Sequence, residues 1–171
     1  MNRRGFTIVE LIIVITIMAI LLVLAVVNLR STQVNARDDE RKSDIDSLAM
    51  HLEVMYNTGK GVAEVGRYTS TGGYTTWTIT NVQDNLRDID PKSVMAPGFS
   101  DPVLTSFTAA TNNVQTTAGI LPQPTISQYV YQPLQQDGTL CTTGSQQCQK
   151  FNLFYRLEAD NTVYVKTSKN Q

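Results

Sequence analysis

Residues 6–27 read FTIVELIIVITIMAILLVLAVV, and this stretch decides the fold. It contains 22 residues with one charge, Glu10, and neither glycine nor proline. As an α-helix it would extend about 33 Å at about 1.5 Å per residue, which matches the ~30 Å hydrocarbon core of a bilayer. We therefore predict a helix that is able to span a membrane.

Five residues precede this stretch, and two of them are Arg3 and Arg4. Arginines beside a membrane helix favour the cytoplasmic side, so the sequence predicts the N-terminus inside and everything after Val27 outside. A secretory signal peptide is the alternative. Its apolar core would run only about 7–15 residues and end at a small-residue cleavage site, which the sequence LAVVNLRS at 24–31 provides poorly.

The charge balance and the supply of metal ligands exclude several classes of function. The 171 residues include 14 Lys and Arg against 15 Asp and Glu, for a net charge of -1. A nucleic-acid-binding protein needs a basic surface that displaces counterions. One histidine and two cysteines are too few for a His/Cys metal site. We expect no direct nucleic-acid site, no metal and no cofactor.

No motif indicates an active site. Gly59-Lys60-Gly61 lacks the spacing of a phosphate-binding loop, and neither G-x-S-x-G nor H-E-x-x-H occurs. His51 falls on the flank of an apolar helix stripe, where we assign it no chemistry. Asp88, Asp90 and Asp101 carry oxygens that suit calcium, but their spacing is not diagnostic. The sequence therefore predicts no catalytic residue and no enzyme.

A short motif joins the basic leader to the apolar stretch. Residues 5–11 read GFTIVEL, which after such a leader resembles the N-terminal signature of type IV pilins and type II secretion pseudopilins. The resemblance implies that a prepilin peptidase cuts after Gly5 and that the new amino terminus, Phe6, is methylated. It also implies that Glu10 pairs with the amino terminus of a neighbouring subunit during assembly.

The resemblance implies a function as well: a structural subunit of an extracellular type IV pilus-like filament for adhesion, motility or DNA uptake. Its partners would be other copies of itself, the prepilin peptidase, the pilus assembly machinery and, before assembly, the inner (cytoplasmic) membrane. A pseudopilin of a type II secretion or competence pseudopilus is the alternative. A single-pass membrane enzyme or receptor is a third possibility.

The helix is predicted to continue from Phe6 to Asn57, because no glycine interrupts it and Gly59 then offers a C-cap. Its second half carries one apolar stripe at helical spacing, made of Ile45, Leu48, Leu52 and Met55.

The charged run ARDDERKSDID at 36–46 lies ahead of this stripe. Oppositely charged residues stand three or four apart in it, in the pairs Arg37/Glu40, Asp38/Lys42 and Lys42/Asp46. This spacing predicts a solvated helix face whose charges pair with one another. Contacts between subunits are the alternative.

After Gly61 the pattern changes from helical to alternating. Four stretches rich in β-branched and aromatic residues are predicted strands: 74–80, 128–131, 151–158 and 163–166. The last two form a hairpin through Asp160-Asn161. Residues 81–127, which contain five prolines, are predicted to form a long surface loop.

The predicted fold class is α+β, with a long N-terminal α-helix packed on a small antiparallel β-sheet head, as in type IV pilins. The predicted divisions are a removed leader, a membrane or filament-core helix, the amphipathic half of that helix and the head: 1–5, 6–29, 30–58 and 59–171.

Cys141 and Cys148 flank the sequence TTGSQQ in the part predicted to lie outside the membrane. A disulfide is the default there. Closing this loop would remove unfolded-state entropy equivalent to about 2.5 kcal/mol and would staple the turn before the final hairpin. A reactive thiol pair is the alternative, although neither C-x-x-C spacing nor a neighbouring histidine supports it.

Overall fold

The computed structural model describes residues 7–59, 64–73, 78–86, 88–99, 101 and 105–170, with the backbone alone at 27, 28 and 73. It shows a long helix packed with a small four-stranded mixed sheet. The predicted α+β class is confirmed.

Helix α1 runs from Ile8 to Thr58 without a break, over 51 residues. Thr7 is its N-cap, and Gly59 ends it with a φ of 61° while donating its N–H to the Met55 carbonyl. A positive φ is readily adopted by glycine because it has no Cβ. The predicted continuous helix and its glycine stop are therefore confirmed from Ile8 onward, whereas the predicted start at Phe6 lies outside the described residues.

The apolar stripe of α1 covers one face of the sheet. Ile45, Leu48, Leu52 and Met55 are each no more than 2% exposed. They share one buried cluster with aromatic and aliphatic side chains of the sheet, including Tyr129, Tyr131, Phe151 and Leu153. The stripe that the sequence predicted is thus the cover of the sheet.

The sheet has the strand order β1-β2-β3-β4. Its strands are β1 (Phe107–Ala109), β2 (Tyr129–Leu134), β3 (Lys150–Arg156) and β4 (Val163–Thr167). Strands β2, β3 and β4 are antiparallel neighbours, which confirms the predicted final hairpin. Strand β1 pairs with β2 in parallel, so the prediction of a wholly antiparallel sheet is wrong at this edge.

The predicted strand at 74–80 is wrong where the structure describes it. Residues 74–77 lie outside the described residues, and helix α2 runs from Ile79 to Asn85. Thr78 caps this helix, because its side-chain oxygen accepts the Asn81 N–H at 3.2 Å. N-capping by threonine prevails here over the strand preference of a Thr-Ile-Thr sequence.

The prediction of a surface loop over 81–127 is also wrong. This stretch contains the rest of α2, a 3-10 turn at Pro91–Val94 and strand β1. Its apolar side chains are buried at Val82, Leu86, Ile89, Val94, Ala96, Phe107, Ala110 and Ile120. Ala110 and Ile120 pack with Val130 and Phe154 in a second cluster. Residues 81–127 therefore supply core.

Candidate functional site

The first turn of α1 is closed by a capping box between Thr7 and Glu10. The Thr7 hydroxyl oxygen accepts the Glu10 N–H at 3.3 Å, and Glu10 Oε2 accepts both the Thr7 N–H and the Thr7 hydroxyl at 2.8 Å. This reciprocal pattern satisfies backbone donors that a helix N-terminus otherwise leaves unpaired. The Glu10 carboxylate is therefore held at the start of the helix by its own chain.

The turns that follow are apolar and exposed. The large hydrophobic side chains from Ile8 to Val26 are all at least 42% exposed in this single chain. The most apolar 18-residue window of α1 has a mean hydropathy of 3.1, and none of it is buried. By length and composition α1 is able to cross a membrane. These two criteria are also met by signal sequences near an N-terminus. Such an exposed apolar surface needs a lipid or protein partner.

The predicted site residues fall in three places. Gly5 and Phe6 lie outside the described residues. Glu10 lies in the first turn of α1, bonded to Thr7. Cys141 and Cys148 are joined by a disulfide in the head, with their Cα atoms 5.8 Å apart and both residues buried.

Where α1 reaches the head, a buried ion pair joins the helix to the β3–β4 turn. Asp38 accepts the backbone N–H groups of Glu158 and Ala159 at 2.8 and 2.9 Å and an Arg41 N–H at 2.8 Å. Arg41, only 1% exposed, also donates to the Ile126 carbonyl at 2.9 Å. Both charges are satisfied, which is the condition for burying them.

A second arginine extends this junction at its solvent side. Arg37 donates two hydrogen bonds to the Glu158 carboxylate, at 2.9 and 2.6 Å. The Arg37 hydrogen bonds lower the pKa of Glu158 below its ordinary value. Burial by itself raises the pKa of Asp38, but the turn N–H groups and Arg41 outweigh it and lower that pKa. Both carboxylates are thereby favoured in their charged forms.

The charged run 36–46 pairs within itself, as predicted, but not through the predicted partners. Asp38 pairs with Arg41 and Asp39 with Lys42 inside the run, whereas Arg37 pairs with Glu158 and Asp46 with Lys166 of the head. Nor is the whole face solvated, because three of its charged residues are buried, namely Asp38, Arg41 and Asp44.

Asp44 is a buried carboxyl with a weaker set of partners. It is 8% exposed and accepts a hydrogen bond from the Tyr129 hydroxyl at 3.4 Å. Burial and the nearby Glu40 charge raise the pKa of Asp44 to about 7, and Asp90 adds to this rise. The Tyr129 hydrogen bond and the Arg41 charge oppose it. Asp44 therefore changes charge near neutral pH.

Two of the other candidate ligands, His51 and Asp90, contact neighbouring residues of their own segments. His51 Nδ1 lies 2.8 Å from the Ser47 carbonyl oxygen one turn earlier. Asp90 Oδ1 accepts the Lys92 N–H at 2.9 Å and so caps the 3-10 turn. Within the described ranges, no three His, Cys, Asp or Glu residues are grouped so that they could bind a metal ion.

Comparison with known protein families finds a match at the N-terminus of the chain. Residues 1–26 match the family model described as the prokaryotic N-terminal methylation motif. The chain carries the type IV pilin and pseudopilin signature. Comparisons with curated proteins and with solved structures give no match. The pilin signature thus covers most of the exposed apolar turns of α1 and does not extend into the head.

Two features of the site escaped prediction from the sequence. The first is Thr7, although its signal was present, since Thr7-Ile8-Val9-Glu10 has the T-x-x-E pattern of a capping box. The second is the Asp38–Arg41 pair at the head. Its partners, Ile126 and Glu158, lie 85 and 120 residues away from it in the chain, and spacing along one helix gives no sign of them.

Proposed function

We propose that this chain is the precursor of a structural subunit of an extracellular type IV pilus-like filament. The observation that carries the proposal is the methylation motif at residues 1–26, followed directly by an unbroken apolar helix with exposed side chains. Pilins with this motif are generally structural proteins.

Processing comes first in the proposed sequence. A prepilin peptidase cuts after Gly5, and the amino group of Phe6 is methylated. Gly5 suits a cleavage site because glycine, lacking a Cβ, lets the backbone extend into a protease cleft. Before cleavage the precursor spans the inner membrane with Arg3 and Arg4 on the cytoplasmic side. After it, the apolar helix carries an ammonium group at its start.

Assembly follows, with the helix leaving lipid for a bundle of other copies of itself. Packing between apolar helices has little directionality, so a buried ion pair is well suited to set their register. The Phe6 ammonium of one subunit and the Glu10 carboxylate of its neighbour form this pair in our proposal. A buried charge of either sign is costly alone and is tolerated when paired.

The capping box is compatible with such a pair. Both hydrogen bonds from Thr7 go to one oxygen of the carboxylate, Glu10 Oε2. The contacts of the described residues leave the second oxygen, Oε1, available for an ammonium from another chain. Glu10 is thus able to cap its own helix and to bind the neighbour at the same time.

The test compares cells that express only one version of the subunit. Glu10→Ala and Glu10→Gln are expected to leave the membrane pool of folded protein unchanged, because near the headgroups a carboxylate is not needed for insertion. Both are expected to abolish sheared surface fibres, because the buried ammonium loses its partner at a cost of about 3–5 kcal/mol per subunit. Normal fibre yield from Glu10→Ala would refute the proposed pairing.

Thr16→Ala is the matched control. Thr16 is a second polar residue in the apolar turns, and among the described residues its hydroxyl donates to the Ile12 carbonyl of the same helix, at 2.8 Å. We expect this variant to assemble normally. If wild-type cells form no surface fibres but need the chain for protein secretion or DNA uptake, the pseudopilin alternative replaces the filament.

A further inference from the structure

The segment that follows α1 is hydrogen-bonded to the disulfide loop. We call residues 64–73 the connecting segment and residues 141–148 the disulfide loop. The Tyr68 N–H donates to the Cys148 carbonyl at 2.7 Å, and the Thr71 N–H donates to the Cys141 carbonyl at 2.9 Å. The Thr71 hydroxyl donates to the same Cys141 carbonyl at 3.2 Å. Both cysteines therefore accept backbone hydrogen bonds from one short segment.

The disulfide loop is in turn fastened to the end of β2. The Cys141 N–H donates to the Pro133 carbonyl, and the N–H of Gln149, the residue that directly follows the loop, donates to the Leu134 carbonyl, both at 2.9 Å. The disulfide fixes the two cysteine Cα atoms 5.8 Å apart. The disulfide thus sets the spacing of the two carbonyls that accept the Tyr68 and Thr71 N–H groups.

Close packing at Gly72 ties the two segments together a second time. A Cβ atom at this position would overlap the carbonyl oxygen of Thr142, which belongs to the disulfide loop. Backbone cannot give way as a flexible side-chain tip can. The fit between the connecting segment and the disulfide loop therefore depends on glycine at 72.

The connecting segment covers part of the core without being a strand. Its Tyr68 ring is 2% exposed and packs on Tyr56 and Phe151, with ring centroids 4.7 and 4.9 Å away. The Thr69 carbonyl accepts a hydrogen bond from the Tyr131 hydroxyl at 2.9 Å. The segment forms no sheet ladder. Besides the two hydrogen bonds to the cysteine carbonyls, the Gly66 N–H donates to the Tyr56 carbonyl at 2.7 Å and the Asn170 side chain donates to the Tyr68 hydroxyl at 3.4 Å.

We propose that the Cys141–Cys148 disulfide is a latch for the connecting segment: without the S–S bond, residues 64–73 detach and expose Tyr68, whereas α1 and β2–β4 stay formed. Forming the latch transfers two electrons and two protons from the cysteine thiols to a disulfide donor, which leaves as a dithiol. The latch needs no filament, so its failure and the failure of the proposed function are separate results.

Hydrogen exchange of the full chain in detergent micelles tests the latch. In the Cys141→Ala/Cys148→Ala variant, amides in 64–73 are expected to exchange about tenfold faster or more, because local opening exposes them. The acceleration in 150–156 and 163–167 is expected to be at least about tenfold smaller than in 64–73, because these strands open only when the whole head unfolds. Unchanged exchange in 64–73 would overturn the proposal, and so would equal acceleration of all three segments, which indicates loss of overall stability.

Two further variants keep the disulfide and separate its effect from that of loop shape. Gly72→Ala is expected to open 64–73 selectively, and slow exchange there would overturn the proposed fit. Gln146→Ala removes the side-chain oxygen that accepts the Thr142 and Thr143 N–H groups, at 2.6 and 2.9 Å, inside the disulfide loop. We expect wild-type exchange in 64–73 for this variant, and opening as large as in the double cysteine variant would overturn the latch.

Discussion

Arg37 and Glu158 lie 121 residues apart in the chain, yet two hydrogen bonds join the guanidinium of one to the carboxylate of the other. Together with the buried Asp38–Arg41 pair, they fasten the helix to the β3–β4 turn at the end of the head nearest the apolar segment. The head is therefore attached through a buried polar junction at this end and mainly through apolar contacts along the stripe that begins at Ile45.

Asp38→Ala is expected to destabilise the head strongly. It leaves the Arg41 guanidinium, which is 1% exposed, without its nearest carboxylate, and it removes the acceptor of two turn N–H groups. Losing one partner of a buried pair costs about 3–5 kcal/mol in the free energy of unfolding. Denaturant unfolding of the full chain in micelles measures this change.

Asp39→Ala is the matched control for that variant. Asp39 is the next residue on the helix, pairs with Lys42 at 3.1 Å and has a side chain that is 76% exposed. An exposed pair of this kind contributes about 0–1 kcal/mol. Equal losses of stability in Asp38→Ala and Asp39→Ala would contradict the stabilising role of the buried Asp38–Arg41 pair.

Asp44 gives the head a pH dependence of stability near neutrality. Its pKa is raised from 3.8 to about 7, so the folded protein binds a proton that the unfolded chain releases. The stabilisation is fully present below about pH 4 and is lost as the pH rises to about 7. Asp44→Asn is expected to be more stable than wild type above pH 7 and to lack this slope. The amide oxygen would still accept the Tyr129 hydrogen bond.

Asp38 and Glu158 act in the opposite direction and in another window. Their pKa values are lowered from 3.8 and 4.5, so their contribution is fully present above about pH 5 and is lost only at more acidic pH. Unfolding curves from about pH 5 to 8 therefore report Asp44. A wild-type slope in Asp44→Asn over this range would show that another group titrates.

Gly5→Val is expected to leave uncut precursor in the membrane, because a branched side chain enters the proposed cleavage position. Asn2→Ala changes the leader away from that position and is expected to be processed normally. The mobility and N-terminal sequence of the membrane pool distinguish the two forms. Normal cleavage of Gly5→Val would contradict processing at this bond.

The sequence predicted the elements that are specified by patterns among neighbouring residues. Helix α1 follows from an uninterrupted apolar run, a 3.6-residue stripe and Gly59, and the final hairpin follows from alternation around Asp160-Asn161. In each case the signal lies within a few residues of the structure it specifies.

The failures share a different cause, which is dependence on distant partners. Strand β1 has three residues and pairs in parallel with a strand about twenty positions later, so no hairpin signal marks it. The prolines between positions 91 and 124 are typical of a surface loop, but apolar residues between them are buried in the core. Asp38 has suitable partners along its own helix, but it also accepts hydrogen bonds from the backbone N–H groups of residues 158 and 159, which are far away in the chain.

The most direct test of the central proposal is the intact mass and N-terminal residue of this chain in fibres sheared from the cell surface. The account predicts a subunit that begins at Phe6, carries one methyl group on its amino terminus and contains the Cys141–Cys148 disulfide. A subunit that still begins at Met1, or fibres that lack this chain while the folded protein stays in the membrane, would contradict it.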